Sequence, residues 1–252
     1  MAEFTEGSGT GPSQRFKDYC DQKCVNRKLV LQGFSLGPNA AQEIATILSI
    51  NRDIVQVDLS KNNLRDEGVE SIMRVIKSTH SIISLDLTQN NITTKGAKKV
   101  FKALASNQSL ISLRIGNHEN VSKNKVGVKA VPKLNGLLRT SQVISFLDLR
   151  STNLTDAGLV VLCQGLVDNK SLFNLNLSKN DITCTGIESL APIIFKTAIT
   201  ELDLSLNPLG NNGIKCLADN LFERAEDERR IGGTRRGKKC SLEKLNLSET
   251  KF

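Results

Sequence analysis

The fold that the sequence predicts is an α/β solenoid, built from short units that each contribute one strand and one helix. A segment similar to itself recurs along most of the chain, and its commonest step is 28 residues. Each segment changes its hydrophobic period partway, from alternation to a helical stripe. Apolar residues make up 39% of the 252 residues, but tryptophan is absent and tyrosine occurs once, which indicates a small aliphatic packing unit used many times.

The repeat emerges when the chain is aligned with itself. The block that begins at Ile54 reads IVQVDLSKNNL, and the next two blocks each begin 28 residues further on. Eight copies can be recognised, of which the first is weak and the last is cut short. They are numbered repeats one to eight and begin at Asn26, Ile54, Ile82, Leu110, Ile144, Leu172, Ile199 and Leu242.

Within a repeat, the first half predicts a strand and the second half a helix. Leu85 and Leu87 flank Asp86, as in a short strand with one buried face. The helical stripe of repeat two consists of Val69, Ile72, Met73, Val75 and Ile76. A glycine recurs near the helix starts, at Gly68, Gly96, Gly127, Gly158, Gly186 and Gly213. One strand and one helix cannot bury both apolar faces alone, so neighbouring repeats are expected to stack.

The pattern LxLxxNxL, followed by a glycine-led helix, resembles the leucine-rich repeats of the ribonuclease-inhibitor class over about residues 26–252. The resemblance implies a right-handed horseshoe with parallel strands on the concave face and helices on the convex face. It also implies that the motif asparagine holds each strand-to-helix turn by bonding backbone groups of adjacent repeats. That role falls to Asn62, Asn90, Asn180 and Asn207. Interruptions of this ladder are expected at Phe34, His118, Thr152 and Thr250.

Three segments follow from this alignment. Residues 1–12, rich in Gly, Ser and Thr, are predicted to be a flexible tail. Residues 13–25 are predicted to be an N-terminal helical cap, because a solenoid needs its first repeat covered. One face of this helix would carry Phe16, Tyr19, Cys20 and Cys24. Residues 26–252 form the repeat domain, whose truncated last repeat predicts an open sheet edge.

Two repeats are longer than the others. Repeat four has six additional residues, which we assign to HENVSKNKV and to the neighbourhood of LLRTSQ. Repeat seven spans 43 residues, and its additional residues fall in FERAEDERRIGGTRRGKKC, at 222–240. Insertions in solenoids usually become surface loops. The glycines and balanced charges of 222–240 predict a disordered loop, with a nuclear-localisation signal as the alternative interpretation.

The composition also indicates in which cellular compartment the protein works. No apolar run approaches the ~18 residues of a transmembrane segment, and the first residues do not resemble a signal peptide. The six cysteines contain no CxxC pair, so we expect reduced thiols in a cytoplasmic protein. Cys20 and Cys24 lack further ligands for a metal and are predicted to pack inside the cap.

The concave face is the first candidate for binding a partner. Of its two exposed strand columns, one has a single apolar member, Phe146. The other is mostly acidic or polar, and Arg150 lies beside it. Its charged members are Asp58, Asp86, Arg114, Asp148 and Asp203. This column can be interpreted as a polar docking surface or simply as the LDLS consensus of the repeat.

The convex face of repeats three and four is the second candidate. Residues 82–143 carry ten basic and two acidic residues, a difference equal to the net charge of +8 of the whole chain. One helix face is predicted to carry Lys95, Lys98, Lys99 and Lys102, and the next helix continues it with Lys129 and Lys133. The neighbouring helix of repeat five exposes Val160 and Val161 instead.

Two interpretations of these lysines stay open. They either bind an acidic partner or form a solvated lysine-rich surface. An acidic partner could be a protein tail such as that of tubulin, an anionic membrane or a nucleic acid. Nucleic acid is the least favoured because no aromatic residues interleave with the lysines.

The residues assemble no Ser/His/Asp arrangement, carboxylate pair or phosphate-binding glycine loop. The sequence therefore predicts a non-enzymatic protein-interaction module or scaffold, without cofactor, metal or small-molecule substrate. Its repeats are similar to those of cytoskeletal and ciliary scaffold proteins, which implies a cytoskeletal association. The alternative is a GTPase-activating protein, because the Ran GTPase activators resemble this fold and repeat length. The acidic tail and the functional loop residues of that family find no match here.

Overall fold

The computed structural model describes residues 14–118, 123–230 and 241–250, and for 222–230 the backbone alone. Its helices are α1 (Gln14–Gln22), α2 (Pro38–Ile50), α3 (Arg65–Ser78), α4 (Thr94–Leu104), α5 (Val131–Thr140), α6 (Thr155–Leu166), α7 (Cys184–Leu190) and α8 (Gly210–Arg230). Two 3₁₀ segments, Val128–Ala130 and Ala191–Lys196, precede α5 and follow α7. The strands are β1 (Cys24–Val25), β2 (Lys28–Val30), β3 (Gln56–Asp58), β4 (Ser84–Asp86), β5 (Ser112–Arg114), β6 (Phe146–Asp148), β7 (Asn174–Asn176), β8 (Glu201–Asp203) and β9 (Lys244–Asn246).

The strands form one sheet in chain order, from β1 to β9. β1 is antiparallel to β2, and every later neighbour is parallel in a register that aligns equivalent repeat positions. Parallel strands lie about 4.8 Å apart, whereas packed helices need about 8–10 Å. The stack therefore curves with the sheet inside and the helices outside. This confirms the predicted right-handed solenoid with parallel strands on its concave face.

A single hydrophobic core lies between the sheet and the helices. The strand leucines Leu85, Leu113 and Leu147 are fully buried, and so are Phe101 and Leu162 on the helices. Because these positions recur in every repeat, each repeat completes the core of the next one, as stacking requires. No helix within the described ranges combines the length and apolarity that a membrane span requires.

The asparagine ladder implied by the resemblance is present. The Asn90 Nδ2 donates to the carbonyls of Leu59 (2.8 Å) and Leu87 (3.1 Å), and its Oδ1 accepts from the amide of Leu64 (3.3 Å). Asn62, Asn180 and Asn207 make corresponding bonds in their repeats. These groups are buried between repeats. Each asparagine side chain therefore makes hydrogen bonds to backbone carbonyls and amides that water cannot reach.

The threonines at ladder positions keep part of this arrangement. Thr152 is fully buried, and its Oγ1 donates to the carbonyl of Leu149 at 2.7 Å. Thr250 makes the same bond to Leu247 at 2.9 Å. Phe34 does not enter the interior, because its side chain is 44% exposed. The ladder is therefore reduced at the threonines and absent at Phe34.

The prediction that His118 interrupts the ladder is wrong. His118 is exposed, and the ladder residue of repeat four is Asn124. The Asn124 Nδ2 donates to the carbonyls of Leu87 (2.9 Å) and Ile115 (2.9 Å), and its Oδ1 accepts from the amide of Asn90 (2.8 Å). The next repeat begins 20 residues after Asn124, the same distance as from Asn90 to Leu110. All six additional residues therefore precede Asn124, and none lies near LLRTSQ.

The alignment of Gly127 with the other helix glycines is also wrong. The amide of Gly127 donates to the carbonyl of Thr152 at 3.0 Å, as the amides of Arg65 and Thr155 do to the following repeats. All three have positive φ, of 65° at Gly127, 56° at Arg65 and 57° at Thr155. Gly127 is thus a turn residue, which its freedom at positive φ suits. The position of the helix glycine belongs to Ala130, which is fully buried.

The predicted cap segment, 13–25, contains α1 and β1 and not a helix alone. Phe16 and Cys20 on α1 are buried, but Cys24 lies on β1, which pairs with β2 through a tight turn at Asn26 and Arg27. We retain this segment as the proposed cap of repeat one. The predicted tail, residues 1–12, lies outside the described residues.

The insertion of repeat seven also differs from the predicted disordered loop. Helix α8 does not end with the repeat but continues through Arg230, so the first nine residues of 222–240 are helical. Seven of the nine residues of FERAEDERR are Glu, Arg or Ala, which are good helix formers, and this accounts for the continuation. Residues 231–240 lie outside the described residues.

Candidate functional site

Both columns predicted on the concave face are formed. Phe146 lies on β6 between Ser112 of β5 and Asn174 of β7. The second column runs across neighbouring strands through Asp58, Asp86, Arg114, Asp148, Asn176 and Asp203. The parallel register brings these residues together, because each stands at the same position of its repeat.

The aspartates of this column also close the turns that follow the strands. The Oδ1 of Asp58 accepts from the amide of Ser60 at 3.0 Å, and that of Asp86 accepts from the amide of Thr88 at 2.9 Å. In the same way, Asp148 accepts from the amide of Arg150, and Asp203 accepts from the amide of Ser205. One carboxylate oxygen of each is therefore committed to the backbone. The acidic column is in this respect a structural part of the repeat.

Asp148 has the most unusual environment in the column. Burial raises the pKa of its carboxyl, and the nearby charge of Asp86 acts in the same direction. The amide of Arg150 and the charges of Arg150 and Arg114 partly offset this shift. Arg114 and Arg150 thus serve first as counter-charges inside the column.

Arg114 also contacts the aromatic column. Its guanidinium carbon lies 4.4 Å from the centre of the Phe146 ring on the neighbouring strand. This is a cation–π contact, and it holds the long arginine side chain against the sheet. The two residues therefore present a joint surface, part aromatic and part cationic, at the middle of the concave face.

Three further apolar residues on this face were missed by the sequence reasoning. Ile83, Ile111 and Phe173 each precede a strand by one residue, and Ile111 and Phe173 are 43% and 47% exposed. The amide of Ile111 donates to the carbonyl of Ile83 at 2.8 Å, so the row is continuous with the sheet. These residues form a third column, one residue ahead of the two columns that strand alternation predicts. We call Ile83, Ile111, Arg114, Phe146 and Phe173 the concave patch.

A shallow depression of about 420 Å³ adjoins the concave patch. Ile83, Ile111 and Arg114 line it together with Asp58 and Asp86. Apolar and charged groups therefore alternate around a surface that a partner can reach. A second surface lies at the N-terminal end of the same face, where an 810 Å³ depression is lined by several residues of β1 and β2 and by Phe34.

That N-terminal surface is also partly aromatic. The rings of Tyr19 and Phe34 meet edge to face at 5.6 Å, and the Lys23 ammonium lies 5.5 Å from both ring centres. Val25, at the edge of the sheet, is 62% exposed. In the alignment of the repeats Phe34 stands at the ladder position, so its place in this surface cluster was not predicted from the sequence.

On the convex face, the six predicted lysines lie on three consecutive helical segments. Four are on α4, Lys129 is in the 3₁₀ segment before α5, and Lys133 is on α5. We call Lys95, Lys98, Lys99, Lys102, Lys129 and Lys133 the lysine stripe. Because Ala130 and not Gly127 takes the helix-glycine position, Lys129 corresponds to Lys95 and Lys133 to Lys99.

One member of the lysine stripe already has a partner. Lys99 makes an ion pair with Glu70 of α3, and this bond and the Lys99 charge lower the pKa of Glu70. None of the other five lysines makes an ion pair with a residue in the described parts of the chain. The stripe therefore carries five positive charges that no ion pair within the described residues neutralises.

The five cysteines within the described residues show no arrangement that points to chemistry. Burial raises the pKa of the Cys20 thiol and of the Cys163 thiol to about 12. A thiol that stays protonated is a poor nucleophile. Over residues 14–118, 123–221 and 241–250, no three His, Cys, Asp or Glu side chains come together as metal ligands would.

The comparisons with known proteins fit this architecture. A family model described as "Leucine Rich repeat" matches residues 51–73, 80–101, 140–163, 168–191 and 196–218. Each matched segment contains one strand of the sheet and all or part of the helix that follows it. No curated protein sequence matches the chain.

Two solved structures are similar to it at low identity. One is actin-binding site 2 of leiomodin-1, with 19% identity, a TM-score of 0.47, and coverage of 60% of this chain and 86% of that one. The other is the C-terminal domain of a tropomodulin from Caenorhabditis elegans, with 16% identity, a TM-score of 0.45, and coverage of 76% and 98%. The repeat spacing, the strand–helix solenoid and the five matched segments establish that the chain is a leucine-rich-repeat protein.

Proposed function

We propose that the chain is a non-enzymatic module that binds a partner protein through the concave patch. The observation that carries the proposal is Phe146 beneath Arg114, with Ile111 and Phe173 exposed beside it. Aromatic and arginine side chains are enriched among residues that dominate binding energy. Here they stand on a hydrogen-bonded sheet, so little conformational entropy is lost when a partner docks.

The charges around the concave patch indicate what it would bind. Asp58 and Asp86 border the Ile83 side, Ile111 and Phe146 lie in the middle, and Phe173 stands at the opposite end. From Ile83 to Phe173 the patch crosses three strand spacings, about 14 Å, which about four residues of an extended chain would span. The partner segment we propose therefore has apolar side chains at its centre and a basic side chain facing the two aspartates.

We also propose that the protein is located in the cytoplasm and associates with the cytoskeleton. Its support is the resemblance of the repeats to those of cytoskeletal scaffold proteins and the interpretation of the cysteines as reduced thiols. Five of them lie in the described residues, and all five are free.

The test is to identify proteins captured from the native cell and then to measure each purified candidate against variants of the patch. Phe173→Ala and Ile111→Ala should each weaken the binding by about tenfold or more. Ile50→Ala is the matched control, since Ile50 is 62% exposed but lies at the end of α2, outside the patch. Equal affinities for all three variants and the wild type would overturn the proposal.

The non-enzymatic part of the proposal has its own test, which also addresses the GTPase-activating alternative. Hydrolysis of GTP by a panel of small GTPases is measured with and without the purified chain. We expect identical rates. A rate that rises with the concentration of the chain would overturn the non-enzymatic assignment.

A further inference from the structure

The lysine stripe is confined to two of the repeats although the fold would allow it anywhere. At the position of Lys95 and Lys129, repeats two and five have Glu67 and Ala157. At the position of Lys99 and Lys133, the same two repeats have Ser71 and Val161. The stripe is therefore a property of repeats three and four and not of the repeat consensus.

These lysines are not needed to hold the helices together. The packing face of α4 is formed by apolar residues such as Ala97, Val100 and Phe101, all fully buried. Lys102, Lys129 and Lys133 are exposed, and Lys98 is half-buried. Like charges on adjacent helices repel each other across a short distance, and this opposes folding slightly. The pairing of Lys99 with Glu70 relieves one charge of the six.

An apolar margin borders the stripe on one side. Val160, at the position of Lys98, is 40% exposed on α6, and Val161 beside it is half-buried. Helices α5 and α6 pack directly on each other. A partner that lies along Lys129 and Lys133 can therefore reach the valines as well.

We propose that the lysine stripe docks an acidic segment of a partner protein, with the valines of α6 as an apolar border. Charge complementarity selects a ligand with several carboxylates, and the exposed valines favour one that also has apolar side chains. This surface lies on the face opposite the concave patch. The chain could then hold two partners at once, and the second interaction does not rest on the first.

Two other polyanions fit the stripe less well. The helices form the outer, convex side of the curve, so a flat bilayer touches only part of the stripe at a time. Among the described residues of α4, α5 and α6, no exposed Phe, Tyr or Leu stands beside the lysines to enter a membrane interface. Single-stranded nucleic acid is recognised with aromatic stacking platforms, which are likewise missing from the described residues there.

The experiment uses a short fluorescein-labelled polyglutamate peptide as the probe and measures its binding by anisotropy. The stripe variant changes Lys98, Lys102, Lys129 and Lys133 to Glu. The control variant changes Lys17, Lys77, Lys196 and Lys215 to Glu. Both sets contain one half-buried and three exposed lysines, and both change the net charge equally. Thermal melts followed by circular dichroism establish that each variant is folded. If the stripe variant does not fold, the four lysines are changed to Gln instead.

We expect the stripe variant to bind the peptide at least about tenfold more weakly than the wild type, and the control variant to bind nearly as well as the wild type. The affinity of the wild type should fall as the salt rises from about 50 to about 150 mM, because exposed charges are screened. Phe173→Ala, in the concave patch, should leave this binding unchanged, so failure of either proposal can be recognised separately.

Three outcomes would overturn the inference. Equal losses in the stripe and control variants would mean that net charge alone attracts the peptide. Stripe-dependent binding of phosphatidylserine vesicles that is tighter than that of the peptide would make the stripe a membrane surface. Stripe-dependent binding of polyuridine that is tighter than that of the peptide would make it a nucleic-acid surface.

Discussion

Repeats three and four differ in length by six residues, but their interiors are almost the same. Asn90 and Asn124 each donate to the last strand carbonyls of their own and of the preceding repeat, at 2.8–3.1 Å. Strands β4 and β5 pair in the register that all other parallel neighbours share. The additional residues fall between β5 and Asn124 in the chain, and they leave these ladder bonds unchanged. The ladder is thus fixed by backbone groups that must be satisfied inside the stack, and not by a residue count.

The base of the insertion shows how repeat four accommodates its length. Asn117 occupies the place where the strand turn would ordinarily begin, and its Oδ1 accepts from the amides of Lys123 (3.0 Å) and Asn124 (2.8 Å). Its Nδ2 donates to the carbonyls of Asn124 (2.9 Å) and Ser151 (2.5 Å). The two ends of the insertion are thereby joined before the chain re-enters the core. A solenoid can accept such an insertion because it leaves the interior contacts unchanged.

The largest effect is expected from removing a ladder asparagine in the regular repeat. Asn90→Ala should lower the free energy of unfolding by about 1–3 kcal/mol, because buried backbone carbonyls and the amide of Leu64 each lose a hydrogen-bond partner. The measurement is chemical denaturation followed by circular dichroism. Gln108→Ala, an exposed substitution in the same repeat, is the control. An unchanged denaturation midpoint for Asn90→Ala would contradict the structural role of the ladder.

The same substitution in repeat four tests whether Asn124 has the stabilising role that Asn90 has in repeat three. Asn124→Ala should cost about as much as Asn90→Ala, about 1–3 kcal/mol. His118→Ala should change the stability by no more than about 0.5 kcal/mol, because the side chain is exposed. The reverse order of the two effects would place the ladder at His118, as the simple alignment of the sequence does.

The smallest effect is a change in the pKa of Glu70, which should differ between substitutions of the two equivalent lysines Lys99 and Lys133. The hydrogen bond from Lys99 holds the pKa of Glu70 below its ordinary value of 4.5. A carboxyl with a lowered pKa stabilises the fold above its ordinary pKa, and this contribution is lost as the pH falls through the lowered value. Lys99→Gln should therefore raise the pKa of Glu70 toward 4.5, whereas Lys133→Gln should leave it unchanged.

An NMR titration that follows the Glu70 carboxyl checks this prediction. The stability change should be too small to resolve by denaturation, since solvent screens a pair whose side chains are 35% and 41% exposed. Equal pKa changes in both variants would show that the general positive charge of the stripe, and not the ion pair, acts on Glu70.

Much of the concave face could be predicted from the sequence because the strand positions repeat with period two. Leu85 and Leu87 fixed the buried side, so Asp86 and its equivalents had to face outward. Ile111 and Phe173 escaped this reasoning because they precede the strands, where alternation does not yet apply. Their exposure depends on how the chain enters each strand from the preceding loop, which the period of the strand does not encode.

The secondary structure of the cap and of the long insertion was harder to predict from the sequence, for a different reason. The segment around Cys24 has helical spacing, but a tight turn at Asn26 and Arg27 pairs it with β2 as a strand. The glycines of 222–240 suggested a loop, whereas the residues ahead of them extend α8 through Arg230. Local propensity is a weak guide where a neighbouring strand or an existing helix can extend the structure.

The role of the ladder asparagines came from the resemblance to leucine-rich repeats, whereas the sequence by itself determined the repeat, the solenoid and the buried leucines. These follow from periodicity, because a residue repeated at one spacing must meet the same surroundings each time. The tertiary structure decided which asparagine serves repeat four, which lysine is paired, and which apolar residues surround Phe146. Those facts depend on contacts between repeats, such as that of Lys99 with Glu70 on the preceding helix, and the distances across the stack are set only when the repeats pack.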